Sequence, residues 1–261
     1  MAYTKIKYET ENGVAVITLA DPATLNAVSI EMTNELQDAF TRAAAEARCV
    51  VMTGEGRGFS SGANLASGER PVDADGMPDL GARLESTFNP FVTLLRDLPI
   101  PYVTAVNGAA AGIGCSFALL GDLIVAGESA YFLQAFRRIG LVPDGSATYH
   151  LPRMIGRARA MEMMLLGEKI PAKTALEWGL INRCVPDAEL LPTAKALATE
   201  LANGPKALGM IRRLGWASLD NTWSEQLQAE RQMQREAGRS GDFAEGVRAF
   251  FEKRPANFKG A

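Results

Sequence analysis

The chain has one histidine and three cysteines, and aromatics make up 7% of its 261 residues. A single histidine, His150 in Thr148-Tyr149-His150-Leu151-Pro152, cannot build a His-rich metal centre, and it has no Ser or Cys nucleophile signature beside it. Cys49, Cys115 and Cys184 are odd in number, far apart and set among apolar residues. They read as reduced core thiols of a cytoplasmic protein, without a disulfide framework or metal-ligand spacing. No apolar run approaches the roughly 20 residues of a membrane span. The polar, alternating stretch Met1 to Glu9 reads as neither signal nor transit peptide. Net charge is −3 without a basic stripe, so nucleic acid is not an expected partner. No internal repeat or low-complexity tract is present.

Apolar residues are plentiful, at 47%, enough for a full core in one or two domains. Tyr3 to Tyr8 and Val14 to Leu19, around Glu11-Asn12-Gly13, carry a hairpin signal. Ser29 reads as an N-cap for a helix with Ile30, Met32, Leu36 and Phe40 at helical spacing. Short strands are predicted at Cys49 to Met52, Tyr102 to Val106, Leu123 to Ala126 and Ala130 to Leu133. Helices are predicted at Leu84 to Leu98, stopped by Pro99 and Pro101, and at Gly114 to Leu120. Ser67 to Asp79 reads as a mobile loop. The alternation argues for an α/β core built from βαβ units. From about residue 190 the pattern is helical only, over Leu191 to Leu201, Lys206 to Trp216, Thr222 to Ala237 and Asp242 to Phe251. The expected organisation is a core over 1–190 and a helical region over 191–261, whose mixed faces suit a subunit interface.

Two glycine-framed turns stand out. Gly58-Phe59-Ser60-Ser61-Gly62-Ala63-Asn64-Leu65 and Asn107-Gly108-Ala109-Ala110-Ala111-Gly112-Ile113-Gly114-Cys115-Ser116 each follow an apolar run and crowd small residues into a turn leading toward a helix. Brought together, the Ala63 and Ile113 N–H groups would bind an oxyanion, with Gly62 and Gly112 permitting close approach. Tight strand-to-helix packing explains the same glycines equally well.

The first turn resembles the first signature of the crotonase, or enoyl-CoA hydratase/isomerase, family, and Pro101 to Asp122 resembles its second. Leu25-Asn26-Ala27, Gly140-Leu141-Val142-Pro143, Ala175 to Val185 and Phe251-Glu252-Lys253-Arg254 match in order, so the resemblance covers essentially the whole chain. It implies a spiral of ββα units with a C-terminal helical trimerisation region, as homotrimer or dimer of trimers. It also implies an acyl-CoA thioester substrate and no cofactor beyond the CoA moiety. The thioester oxygen would sit between the Ala63 and Ile113 N–H groups, with Ser61, Gly62, Asn64, Leu65, Gly112, Ser116 and Phe136 around the substrate.

The departures from the family pattern bear on the reaction. Hydratases of the family use two glutamates, at the places held here by Ser116 and Phe136, and neither residue serves as a neutral-pH acid or base. Ile113 stands where many members have Gly, and Asn64 where Asp is usual. One acid remains at the expected place for isomerases: Asp144, after Gly140-Leu141-Val142-Pro143 and ahead of Gly145-Ser146. An Asp at a helix start is also a favoured N-cap, contributing about 1 kcal/mol. With the resemblance, Asp144 is expected to shuttle a proton from C2 to C4 of a 3-enoyl-CoA while the two N–H groups hold the enolate. Phe136 would keep that wall apolar, raising the carboxyl pKa toward neutrality. Glu85 and Asp79 are reserve acids, Arg137-Arg138 reads as a solvated face, and Lys253, Arg254 and Lys259 are candidate contacts for CoA phosphates. Two other readings stand: hydration, dehydration or another crotonase-type reaction using loop acids, and a non-catalytic acyl-CoA-binding trimeric scaffold.

Overall fold

The computed structural model describes residues 2–66 and 71–261. Ser67, the first residue of the predicted loop, lies outside the described residues. The strands are β1 (Ile6–Glu11), β2 (Val14–Leu19), β3 (Cys49–Gly54), β4 (Gly58–Ser60), β5 (Tyr102–Val106), β6 (Ala109–Ala111), β7 (Leu123–Gly127), β8 (Tyr131–Leu133), β9 (Ile170–Pro171) and β10 (Arg183–Val185). The helices are α1 (Ile30–Glu46), α2 (Gly81–Arg83), α3 (Asn89–Asp97), α4 (Ile113–Ala118), α5 (Ala147–Leu166), α6 (Ala172–Glu177), α7 (Leu190–Ala202), α8 (Ala207–Ala217), α9 (Trp223–Ala237) and α10 (Gly241–Glu252).

The hairpin forms as predicted, β1 antiparallel to β2, with Asn12 and Gly13 both at positive φ in the turn. Ser29 caps α1 by accepting the Met32 N–H. One sheet runs in the order β1-β2-β3-β5-β7-β10 and a second in the order β4-β6-β8-β9. Within them β3, β5 and β7 are mutually parallel, as are β4, β6 and β8. The chain therefore repeats one winding: a strand in the large sheet, a strand in the small sheet, then a helix. Three successive windings, β3-β4-α3, β5-β6-α4 and β7-β8-α5, stack side by side.

Nearly every residue of β3, β5 and β7 is buried, as a parallel sheet covered on both faces requires. Val50, Met52, Tyr102 and Ile124 pack with α1 and α3. The alternate residues Cys49, Val51, Val103 and Val125 pack with Leu190, Ala194 and Ala198 of α7 on the other face. The predicted helix over Leu84 to Leu98 is instead α2, a π-helical turn at Leu84–Phe88, and α3. Pro90 lacks an N–H and its ring crowds the carbonyl four residues back, which the wider turn relieves.

Helix α8 is fastened to the core by Arg212, 7% exposed, which donates to the Asp122 carboxylate and to the Leu95 and Leu98 carbonyls. Helices α9 and α10 leave large apolar side chains in water, Trp223, Phe250 and Phe251 above three-quarters exposed. Among the described residues no helix is long and apolar enough to cross a membrane.

Candidate active site

The residues predicted to surround an acyl thioester come from the same place in each winding, just after the small-sheet strand. Ala63 follows β4, Ile113 follows β6, and Asp144 follows β8 after a 3₁₀ turn at Ala135–Ile139. The first two turns touch at their glycines. Gly62 has φ 102°, and a Cβ there would lie 3.0 Å from the Ala111 carbonyl oxygen. Gly112 has φ 51° and ψ −129°, a conformation open in practice only to glycine. A side chain at Gly62 would press on the second turn, and one at Gly112 would strain its own backbone.

The first turn is anchored from behind. Val28 donates to the Gly62 carbonyl and Asn64 donates to the Val28 carbonyl, which leaves the Ala63 N–H out of that ladder. The buried Ser60 hydroxyl donates to the Asn26 carbonyl at 2.8 Å and accepts the Gly62 N–H. Asn26, fully buried, is itself tied to Asp21, Glu55 and Gly58. In the second turn Gly112 donates to Leu133, and Ile113 opens α4, so its N–H is one of the donors a helix start leaves free. Unlike the second turn, the first does not open directly into a helix: residues 63–66 are not helical.

Asp144 meets this pair through its neighbours. A Cβ on Gly145 would fall 2.5 Å from Ile113 Cδ1 and 2.7 Å from Ser116 Cβ, so the Asp144 turn packs directly on the start of α4. Ser116 Oγ donates to the Asp144 carbonyl oxygen at 2.9 Å. Asp144 does not cap α5. The cap position belongs to Ser146, which makes no side-chain cap bond, and Asp144 Oδ1 is buried with no partner. Burial pushes the Asp144 carboxyl up to about 6. Phe136 is buried, with its Cζ 3.9 Å from where a Gly112 Cβ would sit, so an aromatic edge lines the turn.

Other predicted groups are engaged elsewhere. Ser61 Oγ donates to the Thr24 carbonyl, Asn64 Oδ1 accepts the Ala66 N–H, and Leu65 is 65% exposed. Asp79 accepts the Ala82 N–H at the start of α2, and Glu85 is exposed. His150 packs edge-to-face against Tyr149 and Trp216, and burial, helped by Arg153 and Arg96, lowers its pKa to about 4. Arg254 is paired with Glu245 and Glu252. Arg137 and Arg138 are more than a solvated face: they donate to the Leu166 and Gly167 carbonyls and close the C-terminus of α5. The Ser60 and Ser116 hydroxyl bonds went unread in the sequence, where both serines look like small packing residues. Among the described residues no group of three or more His, Cys, Asp or Glu is placed to hold a metal ion.

Together, two touching turns that carry the Ala63 and Ile113 N–H groups, a nearby carboxyl raised by burial to about 6 and an aromatic edge are the kinds of group that can stabilise an enolate and move a proton. Residues 9–261 match the family described as Enoyl-CoA hydratase/isomerase. A Rhodobacter capsulatus protein named "probable enoyl-CoA hydratase" is 45% identical over 261 residues, covering 100% of both chains. The Escherichia coli (strain K12) 1,2-epoxyphenylacetyl-CoA isomerase is 44% identical over 254 residues, 96% of each. A crystal structure of a Geobacillus kaustophilus HTA426 enoyl-CoA hydratase superimposes with a TM-score of 0.90 at 33% identity, covering 99% of both chains. The crotonase-type spiral, the two glycine turns at its heart and these likenesses place the chain among the enzymes of the enoyl-CoA hydratase/isomerase family.

Proposed function

We propose that the enzyme is an acyl-CoA double-bond isomerase with Asp144 as its single acid–base residue. The observation that carries this reading is the buried Asp144 Oδ1, without a hydrogen-bond partner, in a turn packed on the start of α4 beside the turns of Ala63 and Ile113. The thioester oxygen accepts both N–H groups, which acidifies C2. Asp144 takes a proton from C2 to give the dienolate. As this collapses the thioester C=O re-forms, the C1–C2 π electrons become the C2–C3 double bond, and the C3–C4 π electrons take the proton that Asp144 returns at C4. The oxyanion pair acts on the enolate, where charge is greatest; each such donor is worth about 3–4 kcal/mol. A carboxyl near pKa 6 is well matched to both halves of the transfer. The reaction is redox-neutral and needs no group beyond the CoA moiety of its substrate.

Ser116 and Phe136 stand where a hydratase carries its glutamates, so activating water has no obvious agent. The test is a 3-enoyl-CoA in deuterated water. Isomerisation with label entering at C2 and C4, no net hydration, and loss of both in Asp144→Asn support the reading. Full turnover by Asp144→Asn would sink it. The printed name of the Escherichia coli relative favours a second reading, rearrangement of a ring-epoxide acyl-CoA by the same groups, so that substrate belongs in the same assay. The exposed apolar residues of α9 and α10 suit a trimer or dimer of trimers, which the mass in solution checks.

A further inference from the structure

We propose that Ser116 is a positioning residue for Asp144: its hydroxyl pins the Asp144 carbonyl to α4 and so keeps the carboxylate from folding back onto the start of α5. This rests on the reading of Asp144 as the acid–base residue.

The turn is unusual in what it withholds. An aspartate just before a helix ordinarily accepts an N–H from a residue two or three further on, closing an Asx-turn or cap. Here the Ala147 N–H goes to the Asp144 main-chain oxygen at 3.1 Å, and the side-chain Oδ1 receives nothing. That arrangement needs Gly145 and Ser146 both at positive φ, 59° and 65°, and a non-glycine residue adopts such a value at a cost. Something outside the turn must hold it. The one side-chain bond to its backbone from another element, among the described residues, is Ser116 Oγ to Asp144 O at 2.9 Å. Ser116 is 2% exposed, and its Cβ lies where Gly145 could not carry a side chain. Ser116 therefore cannot swing aside, and the hydroxyl has no water to exchange with. With the bond gone, the turn can relax until the carboxylate accepts the Ser146 or Ala147 N–H. Donors to a carboxylate stabilise its charged form, so the relaxed Asp144 would be the weaker base.

Ser116→Ala deletes one oxygen without adding volume, and Ser116→Thr keeps the hydroxyl. In Ser116→Ala, kcat on a 3-enoyl-CoA is expected to fall about tenfold with KM changed less than about twofold. The acidic limb of its pH–rate profile should move to lower pH. Carbon-13 NMR of the Asp144 carboxyl in the substrate-free variant should show the same downward shift, independent of any assay. Ser116→Thr should recover most of both. A wild-type limb and NMR titration in Ser116→Ala overturn the proposal, whatever happens to kcat, because they leave Ser116 with packing alone. Should Asp144→Asn retain turnover, the isomerase reading fails by itself, and the NMR titration still decides whether Ser116 governs Asp144.

Discussion

Asp242, at the start of α10, is 3% exposed and accepts N–H bonds from Lys206, Lys259 and Gly260 at 2.7–2.9 Å. Asp144, ahead of α5, has a buried Oδ1 without a partner. Both carboxyls sit beside a helix start and lose water. Burial raises the Asp144 pKa, whereas at Asp242 the three backbone donors outweigh burial and hold the carboxyl below its ordinary value. The difference separates a carboxylate held by three donors, which fastens the chain, from one whose buried oxygen no donor holds. Asp242 ties the C-terminal tail to the start of α8; Asp144 Oδ1 has no partner among the described residues.

Substitutions at the two sites should part company in opposite directions. The largest effect is on turnover. Asp144→Asn should lower isomerisation of a 3-enoyl-CoA by about 10³-fold, while Asp242→Asn stays within about threefold; comparable losses would erase the distinction. Next comes stability. Asp242→Ala strands three backbone donors and should cost roughly 3 kcal/mol in urea unfolding. A cost below about 1 kcal/mol would mean that water or side chains replace the carboxylate. Third, Asp144→Asn should stabilise the ligand-free protein by about 3 kcal/mol at pH 8. The sign follows from a folded pKa raised from 3.8 to about 6: the protonated carboxyl is tolerated, and stability is lost as pH rises through that window. The gain should therefore vanish below pH 4, and urea titrations at the two pH values check it. An Asp144 that stabilises the protein at pH 8 would be bonded after all.

Much of this was legible before the coordinates. β3, β5 and β7 announce themselves as short, mostly apolar runs because they are covered on both faces, and the glycine turns because their positive φ values need glycine. β4 and β6 are only three residues each, too short for a period to register; β8 was read as a strand at Ala130 to Leu133, but its membership of a second sheet did not show in the pattern, and the ββα spiral came only from the family resemblance. Helix α5 was hidden by Pro152 and by Gly156, which breaks it with φ 75°. Whether Asp144 caps a helix depends on φ at Gly145 and Ser146, and Ser146 is not a residue that advertises a left-handed conformation. The role of Ser116 hangs on a hydroxyl whose partner is 28 positions away.

Each winding of the spiral ends at the same address, and the second address packs against both of the others. The enzyme is thereby partitioned into interchangeable cartridges: two present an N–H that any side chain supplies equally well, and the third presents whatever acid its sequence specifies. On the proposed reading, the acid at Asp144 can be exchanged without touching the Ala63 and Ile113 backbone. A collection of enzymes sharing one grip and differing in reaction is what such an architecture makes accessible by single substitutions.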